Sequence, residues 1–379
     1  MPEPAVFESV PNFSEGRDPA VMTALAAAAA GAHRLDLDCD GDHNRTILSL
    51  AAGDGESLCD AVFDSIAAAV ELIDLRRHTG VHPRIGVADV APIVPLGGAR
   101  LDDCVDLARR LGERVWRVLR VPVHLYGAAA TSPERASLAA IRSGRLAPDL
   151  GAGSHPTAGA CCVGARPPLV AYNVILENAG LAQGAALARS ARQSSGGLGG
   201  VQALAFELPG GRTQLSMNLF DLRRAPPDRV LAEVGRLAAA SGIRLGAHQV
   251  AGLCPAAAAG DAASGRLLEA RLAGAAAAAG AARCRELGGE ERTLLGARLD
   301  REAAALNELG ASPEHLLAGG ERAAALLGVL EAAGCLSGDL EMLLRVAVAG
   351  FRAGLGDEVR HRFPERAAAL DRRLSGGTG

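Results

Sequence analysis

The chain has 379 residues, 49% hydrophobic but only 3% aromatic, and its 39 basic and 43 acidic residues leave a net charge of −4. That length exceeds one small core and divides into two or three domains, while the charge balance and the scarcity of aromatic rings argue against a nucleic-acid partner. No lysine occurs anywhere, which excludes Schiff-base chemistry, lysine nucleophiles and a P-loop lysine together.

In chain order, residues 5–10 read as a strand, and Asp18 is a natural N-cap for a helix over 18–30, with Pro19 at its first position and Gly31 closing it. Strands follow near 34–38 and 45–52. Leu58, Val62, Ile66, Val70 and Ile73 recur at three- and four-residue spacing, which puts them on one face of a helix. A strand near 86–94, a helix near 102–119 and a strand at 122–126 end this half. From 168 the order returns: strand "PLVAYNVIL", helix 180–193, strands "VQALAFE" and "TQLSMNL", helix 228–241, strand "IRLGAHQV". Each half begins β-α-β-β-α-β, the ferredoxin-like unit in which two helices cover one face of an antiparallel sheet. The expected class is therefore α+β, with two tandem ferredoxin-like subdomains (1–166 and 167–290), a cleft between them that admits a ligand, and a helical C-terminal tail over 291–379.

Eight cysteines (39, 59, 104, 161, 162, 254, 284, 335) form no CxxC pair and sit mostly in apolar patterns, as reduced core thiols do. The N-terminus has no basic leader and no run of about 18 apolar residues occurs, so a soluble cytoplasmic protein with no membrane partner is expected.

Polar chemistry concentrates in three stretches. "LRRHTGVHPRIGVADV" (75–90) places His78 and His82 beside Arg76, Arg77 and Arg84 on a turn broken by Gly80 and Pro83. Packing needs no such cluster, and the breaks speak against a helical zinc pair, so no metal is expected and a poised base in a loop is the better reading. "DLDCDGDHNRT" (36–46) lacks the glycine offset and closing Glu of a calcium loop, but offers Asp38 as a carboxylate able to orient a histidine. "PDLGAGSHPTAGACCVGAR" (148–166) is Gly-rich enough for close backbone approach to a flat ligand, with the wrong spacing for a dinucleotide fingerprint.

Together "VPNFSEGRD" (10–18), "DGDHNRT" (40–46), "RRHTGVHPRIGVADVAPIVPL" (76–96), "HPTAGACCVGARPPLVAYNV" (155–174) and "QLSMNLFD" (214–221) resemble, in order and spacing, the glutamate formimidoyltransferase family over roughly residues 5–255. The resemblance implies two ferredoxin-like subdomains and transfer of a formimidoyl group from N-formimidoyl-L-glutamate to tetrahydrofolate, a co-substrate, in histidine breakdown and one-carbon metabolism. It implies His82 as the catalytic acid and base, and a folate-binding loop over Gly151, Ala152, Gly153, Ser154, His155, Pro156, Thr157, Ala158 and Gly159. Arg45, Arg77 and Arg84, with Asn44, are then candidates for holding the glutamate carboxylates, and Asp38 for orienting His82. A homo-oligomer, a dimer, is expected. The rivals are folate-dependent formyl transfer, a catalytically silent folate-binding protein, and a metal hydrolase using His78 and His82.

Overall fold

The computed structural model describes residues 4–374 and divides at Pro168/Leu169 into two compact units. In the first, β1 (Ala5–Ser9) and β2 (Asn12–Phe13) form one strand interrupted at Val10 and Pro11, as expected of a residue with no N–H to give. α1 (Pro19–Ala28) starts where Asp18 accepts from the Ala20 N–H and stops three residues before Gly31, short of the expected end. β3 (His33–Asp40) and β4 (Arg45–Ala52) make a hairpin, followed by α2 (Gly55–Leu72), capped by Asp54 and burying Leu58, Val62 and Ile66 as their spacing requires. β5 (Ala88–Gly97) completes the unit: β1/β2 lies antiparallel between β4 and β5, with β3 outside β4, which is the ferredoxin-like order.

The sheet then grows beyond that plan. After α3 (Leu101–Arg114) come β6 (Val123–Gly127), the short α4 (Leu138–Arg142) and β7 (Cys161–Ala165), which runs parallel between β5 and β6. β7 is a strand that the sequence reading of the Gly-rich stretch 148–166 did not anticipate. Cys161, Cys162 and Val163 are fully buried, and an apolar run that short carries no period to distinguish strand from loop. One face of the sheet packs Phe13, Leu48, Leu50, Ile93 and Val163 against Leu58, Ile66 and Leu107 of the helices.

The second unit repeats the motif as β8 (Val170–Leu176), α5 (Leu181–Ala191), β9 (Val201–Leu208), β10 (Arg212–Leu219), α6 (Pro227–Ala240) and β11 (Leu245–Ala251), in the order β11-β8-β10-β9, all antiparallel. The same unit continues into α7 (Leu268–Leu287), α8 (Glu290–Asn307), α9 (Pro313–Ala332), α10 (Gly338–Gly354), α11 (Asp357–Arg362) and α12 (Pro364–Leu374). Residues 375–379 of the expected tail lie outside the described residues.

Cys284 of α7 and Cys335 are joined as a disulfide across 5.8 Å between Cα atoms. This corrects the expectation of eight free thiols: at a separation of 51 positions, only the packing of the helices brings the two together. Among the described residues no helix is long and apolar enough to cross a membrane.

Candidate active site

Three loops of the first unit meet at one end of its sheet. In the β3–β4 turn, the Asp40 carboxylate accepts from the Asp42 N–H (2.8 Å), the His43 N–H (2.9 Å) and His43 Nδ1 (2.7 Å). Burial alone would raise its pKa, but the hydrogen bonds from His43 and Asp42 outweigh that and bring it down to about 2. Asn44 has φ = 49°, a left-handed conformation that Asn tolerates better than most residues. Its side chain accepts from Gly16 N–H (2.8 Å) and donates to the Thr79 carbonyl (2.9 Å), and its own carbonyl lies 2.9 Å from His78 Nε2. Asn44 thus binds the loops at 14–17 and 78–84 to the hairpin.

The turn at 75–90 is joined in the same way to the Gly-rich stretch. Leu75 N–H donates to the Thr157 carbonyl (2.8 Å), Val87 N–H to Ala158 (2.9 Å) and Ala160 N–H to Ile85 (2.9 Å). The strands approach so closely that a Cβ on Gly86 would lie 1.9 Å from the Ala160 carbonyl oxygen. Gly86→Ala is therefore expected to destabilise the protein by about 1–3 kcal/mol, or to displace the whole turn, in a denaturant titration. An unchanged midpoint would refute this close approach.

Inside this framework a pocket is lined by Phe13, Ser14, His43, Asn44, Arg45, His82, Arg84 and Asp89, with an empty volume of about 190 Å³ including its open mouth. Arg45 Nη1 lies 2.6 Å from His82 Nε2. A guanidinium has only donors, so Nε2 must be the acceptor and the imidazole is neutral. Burial first, then the charges of Arg45, Arg142 and His43, hold the His82 pKa far below the ordinary imidazole range. Burial likewise lowers Arg45 to about 10, partly offset by Asp89. The rings of His43 and His82 meet edge to face, 6.1 Å between centroids. Asp89, 3% exposed, accepts from the Ile85 N–H (2.8 Å) and pairs with Arg142 of α4, so it both fixes the turn and balances the guanidinium groups. Arg84 donates to the Gly80 carbonyl from the pocket wall.

The first unit matches the family model described as "Formiminotransferase domain, N-terminal subdomain" over residues 6–166. The chain is 39% identical over 269 residues to the glutamate formimidoyltransferase of Thermoplasma acidophilum, an alignment covering 66% of this chain and 88% of that protein. It is 36% identical over 268 residues to the glutamate formimidoyltransferase of Streptococcus pyogenes serotype M1, covering 66% and 89%. The chain belongs to the glutamate formimidoyltransferase family, a family of transferases. A rat formimidoyltransferase-cyclodeaminase is also similar, at 34% over 273 residues, half of that protein's length.

Of the residues singled out by this family's motifs, His82, Arg45, Arg84 and Asn44 share the pocket, although Asn44's amide is committed to backbone partners. Arg77 is exposed on the surface of the turn, outside the pocket lining. Asp38, on β3, stands opposite Ile47 of β4 and outside the lining, while Asp40 at the end of the same strand pairs with His43. None of residues 151–159 lines this pocket. Ala152, Gly153 and Ser154 form an exposed tip, and Gly151 (φ = 83°) leaves no room for a Cβ beside Trp116. Residues 155–159 close a turn in which His155 Nδ1 accepts from the Ala158 N–H at 3.0 Å, Pro156 and Thr157 forming its bend, and Gly159 (φ = 73°) packs against the Ile85 carbonyl.

Asp89, Ser14 and Arg142 were not singled out from sequence. A lone aspartate inside the apolar run "IGVADVAPIV" is the one signal that points to a buried, partnered charge. Arg142 gives no such signal. Among the described residues no group of three or more His, Cys, Asp or Glu side chains is placed to hold a metal ion.

Proposed function

We propose that this protein transfers the formimidoyl group of N-formimidoyl-L-glutamate to N5 of tetrahydrofolate, giving 5-formimidoyltetrahydrofolate and glutamate. The observation that carries this reading is the neutral, partly buried His82 imidazole held by Arg45 in a pocket rich in guanidinium groups. The names of the relatives, glutamate formimidoyltransferase and formimidoyltransferase-cyclodeaminase, support the group transferred.

In this reading the donor's carboxylates engage Arg45 and Arg84. Drawing the Arg45 guanidinium onto a carboxylate uncovers the Nε2 lone pair and neutralises the nearest cation, so substrate binding itself makes His82 more basic. N5 of the folate attacks the amidine carbon and its proton passes to Nε2. The C–N bond to glutamate then breaks as His82 returns that proton to the departing nitrogen. One imidazole serves both steps and ends as it began. Asp89 and Asp40 hold the surrounding charges in place without entering the proton path.

The decisive measurement is the formation of 5-formimidoyltetrahydrofolate, followed spectrophotometrically, from tetrahydrofolate and formimidoylglutamate, beside the same assay with formylglutamate. Turnover with the formimidoyl donor is expected to exceed that with the formyl donor by at least about tenfold, since the amidinium presents a donor edge that a formyl oxygen lacks. Equal rates would replace this donor assignment with formyl transfer, and inactivity with both would remove the transferase reading.

A further inference from the structure

The groups that the proposed reaction has used so far are two guanidinium cations and a base, yet the group being transferred is itself cationic. An amidine, like a guanidine, takes a positive charge at neutral pH and presents N–H donors where a formyl group presents an oxygen. Arg45 and Arg84 cannot read that edge, because a guanidinium offers donors only. Among the described residues that line the pocket, Asp89 is the one carboxylate. Its fit to an amidinium is therefore the question that the His82 mechanism leaves open.

Asp89 and Ser14, which also lines the pocket, are anchored to one short segment of the turn. Asp89 Oδ1 accepts from the Ile85 N–H (2.8 Å), Ser14 Oγ donates to the Gly86 carbonyl (2.8 Å), and the Ser14 N–H donates to the Val87 carbonyl (2.8 Å). With its proton committed to Gly86, the Ser14 hydroxyl has only lone pairs left to offer. A carboxylate oxygen accepts more than one hydrogen bond, so Oδ1 on Ile85 and Oδ2 on Arg142 keep capacity for a further donor. Both side chains are buried, and turning either away would abandon a buried partner. The charge pattern also matches the donor molecule: two guanidinium groups for its two carboxylates, and one carboxylate for its amidinium. A formyl oxygen in the amidinium's place would set its lone pairs against acceptors that cannot turn to donate.

We propose that Asp89, together with Ser14, reads the N–H edge of the donor's amidinium and so selects a formimidoyl group over a formyl group. This rests on the formimidoyl-transfer reading above. The test is the ratio of kcat/KM for formimidoylglutamate to kcat/KM for formylglutamate, measured in wild type, Asp89→Asn and Ser14→Ala. That ratio is expected to be at least about tenfold in wild type and to fall to within about threefold in Asp89→Asn, whose amide can donate to a formyl oxygen. In Ser14→Ala it falls severalfold. Both donors use the same His82 and Arg45, so a lesion that only disturbs the fold or the surrounding charges lowers both rates and leaves the ratio in place. A selective wild type with an unchanged ratio in both variants overturns the inference while formimidoyl transfer stands. Wild type alone supplies a second measurement should the variants fail to fold. N-carbamimidoyl-L-glutamate and N-carbamoyl-L-glutamate are poorly electrophilic analogues of the donor that differ in carrying a cationic N–H edge or an oxygen. The first is expected to inhibit at least about tenfold more tightly, as a hydrogen bond between charged partners provides. Equal inhibition by the two overturns the inference. A wild type inactive with both donors removes the transfer reading, and this assignment with it.

Discussion

His82→Ala is expected to lower kcat by about 10²–10⁴-fold, the usual contribution of one positioned acid-base group. KM for the formimidoyl donor should change little, because Arg45 and Arg84 remain to hold its carboxylates. The thermal midpoint should also stay near wild type, since the ring lines an open pocket outside the packed core. The pH profile gives an independent check. Burial first and the neighbouring cations next depress the His82 pKa, so the base form is present throughout the neutral range. Wild-type kcat/KM should therefore hold level as pH falls through the ordinary imidazole range near 6.5 and decline only below it, where His82 takes up a proton. Loss of less than about tenfold in His82→Ala would dismiss the imidazole as the proton carrier.

Arg45→Met should have the second largest effect, acting on binding and on the base at once. A hydrogen bond to a charged group contributes about 1.5–3 kcal/mol, which corresponds to a rise of roughly 10- to 150-fold in KM for the carboxylate-bearing donor. The same change removes the closest cation from His82, whose Nε2 lies 2.6 Å from Arg45 Nη1. The imidazole pKa then rises toward its ordinary value, and the acidic limb of kcat/KM moves to higher pH. An acidic limb that stays in place or moves down, measured across the same buffers, would show that Arg45 does not govern the proton affinity of His82. Methionine keeps much of the apolar stem of arginine, so loss of packing contributes little to either result.

Much of this was legible in the chain because it depends on local rules. Asp18 caps its helix through its own side chain, and the spacing of Leu58, Val62 and Ile66 requires one buried face. Both βαββαβ orders followed from alternating apolar periods joined by short turns. The turn at 75–90 also stood out, since apolar packing does not call for two histidines and three arginines on one broken segment. Other features had no local signature. β7 is a short apolar run that could lie anywhere until a parallel neighbour accepts it. The pairing of Cys284 with Cys335 depends on how distant helices pack. Asp38 and Asp40 are indistinguishable by composition, and the turn geometry alone selects Asp40 as the partner of His43.

By itself, then, the amino-acid sequence determined the two sheet-and-helix motifs and the family, and it singled out the histidine proposed to carry the chemistry, because each is set by periodicity, capping or a run of contiguous residues. Tertiary structure decided which charges surround that histidine: Arg45 on its lone pair, and Asp89 with Arg142 behind it. These residues come from separate strands and loops. Their electrostatic influence falls off with distance through space, which the chain reveals only once it has folded.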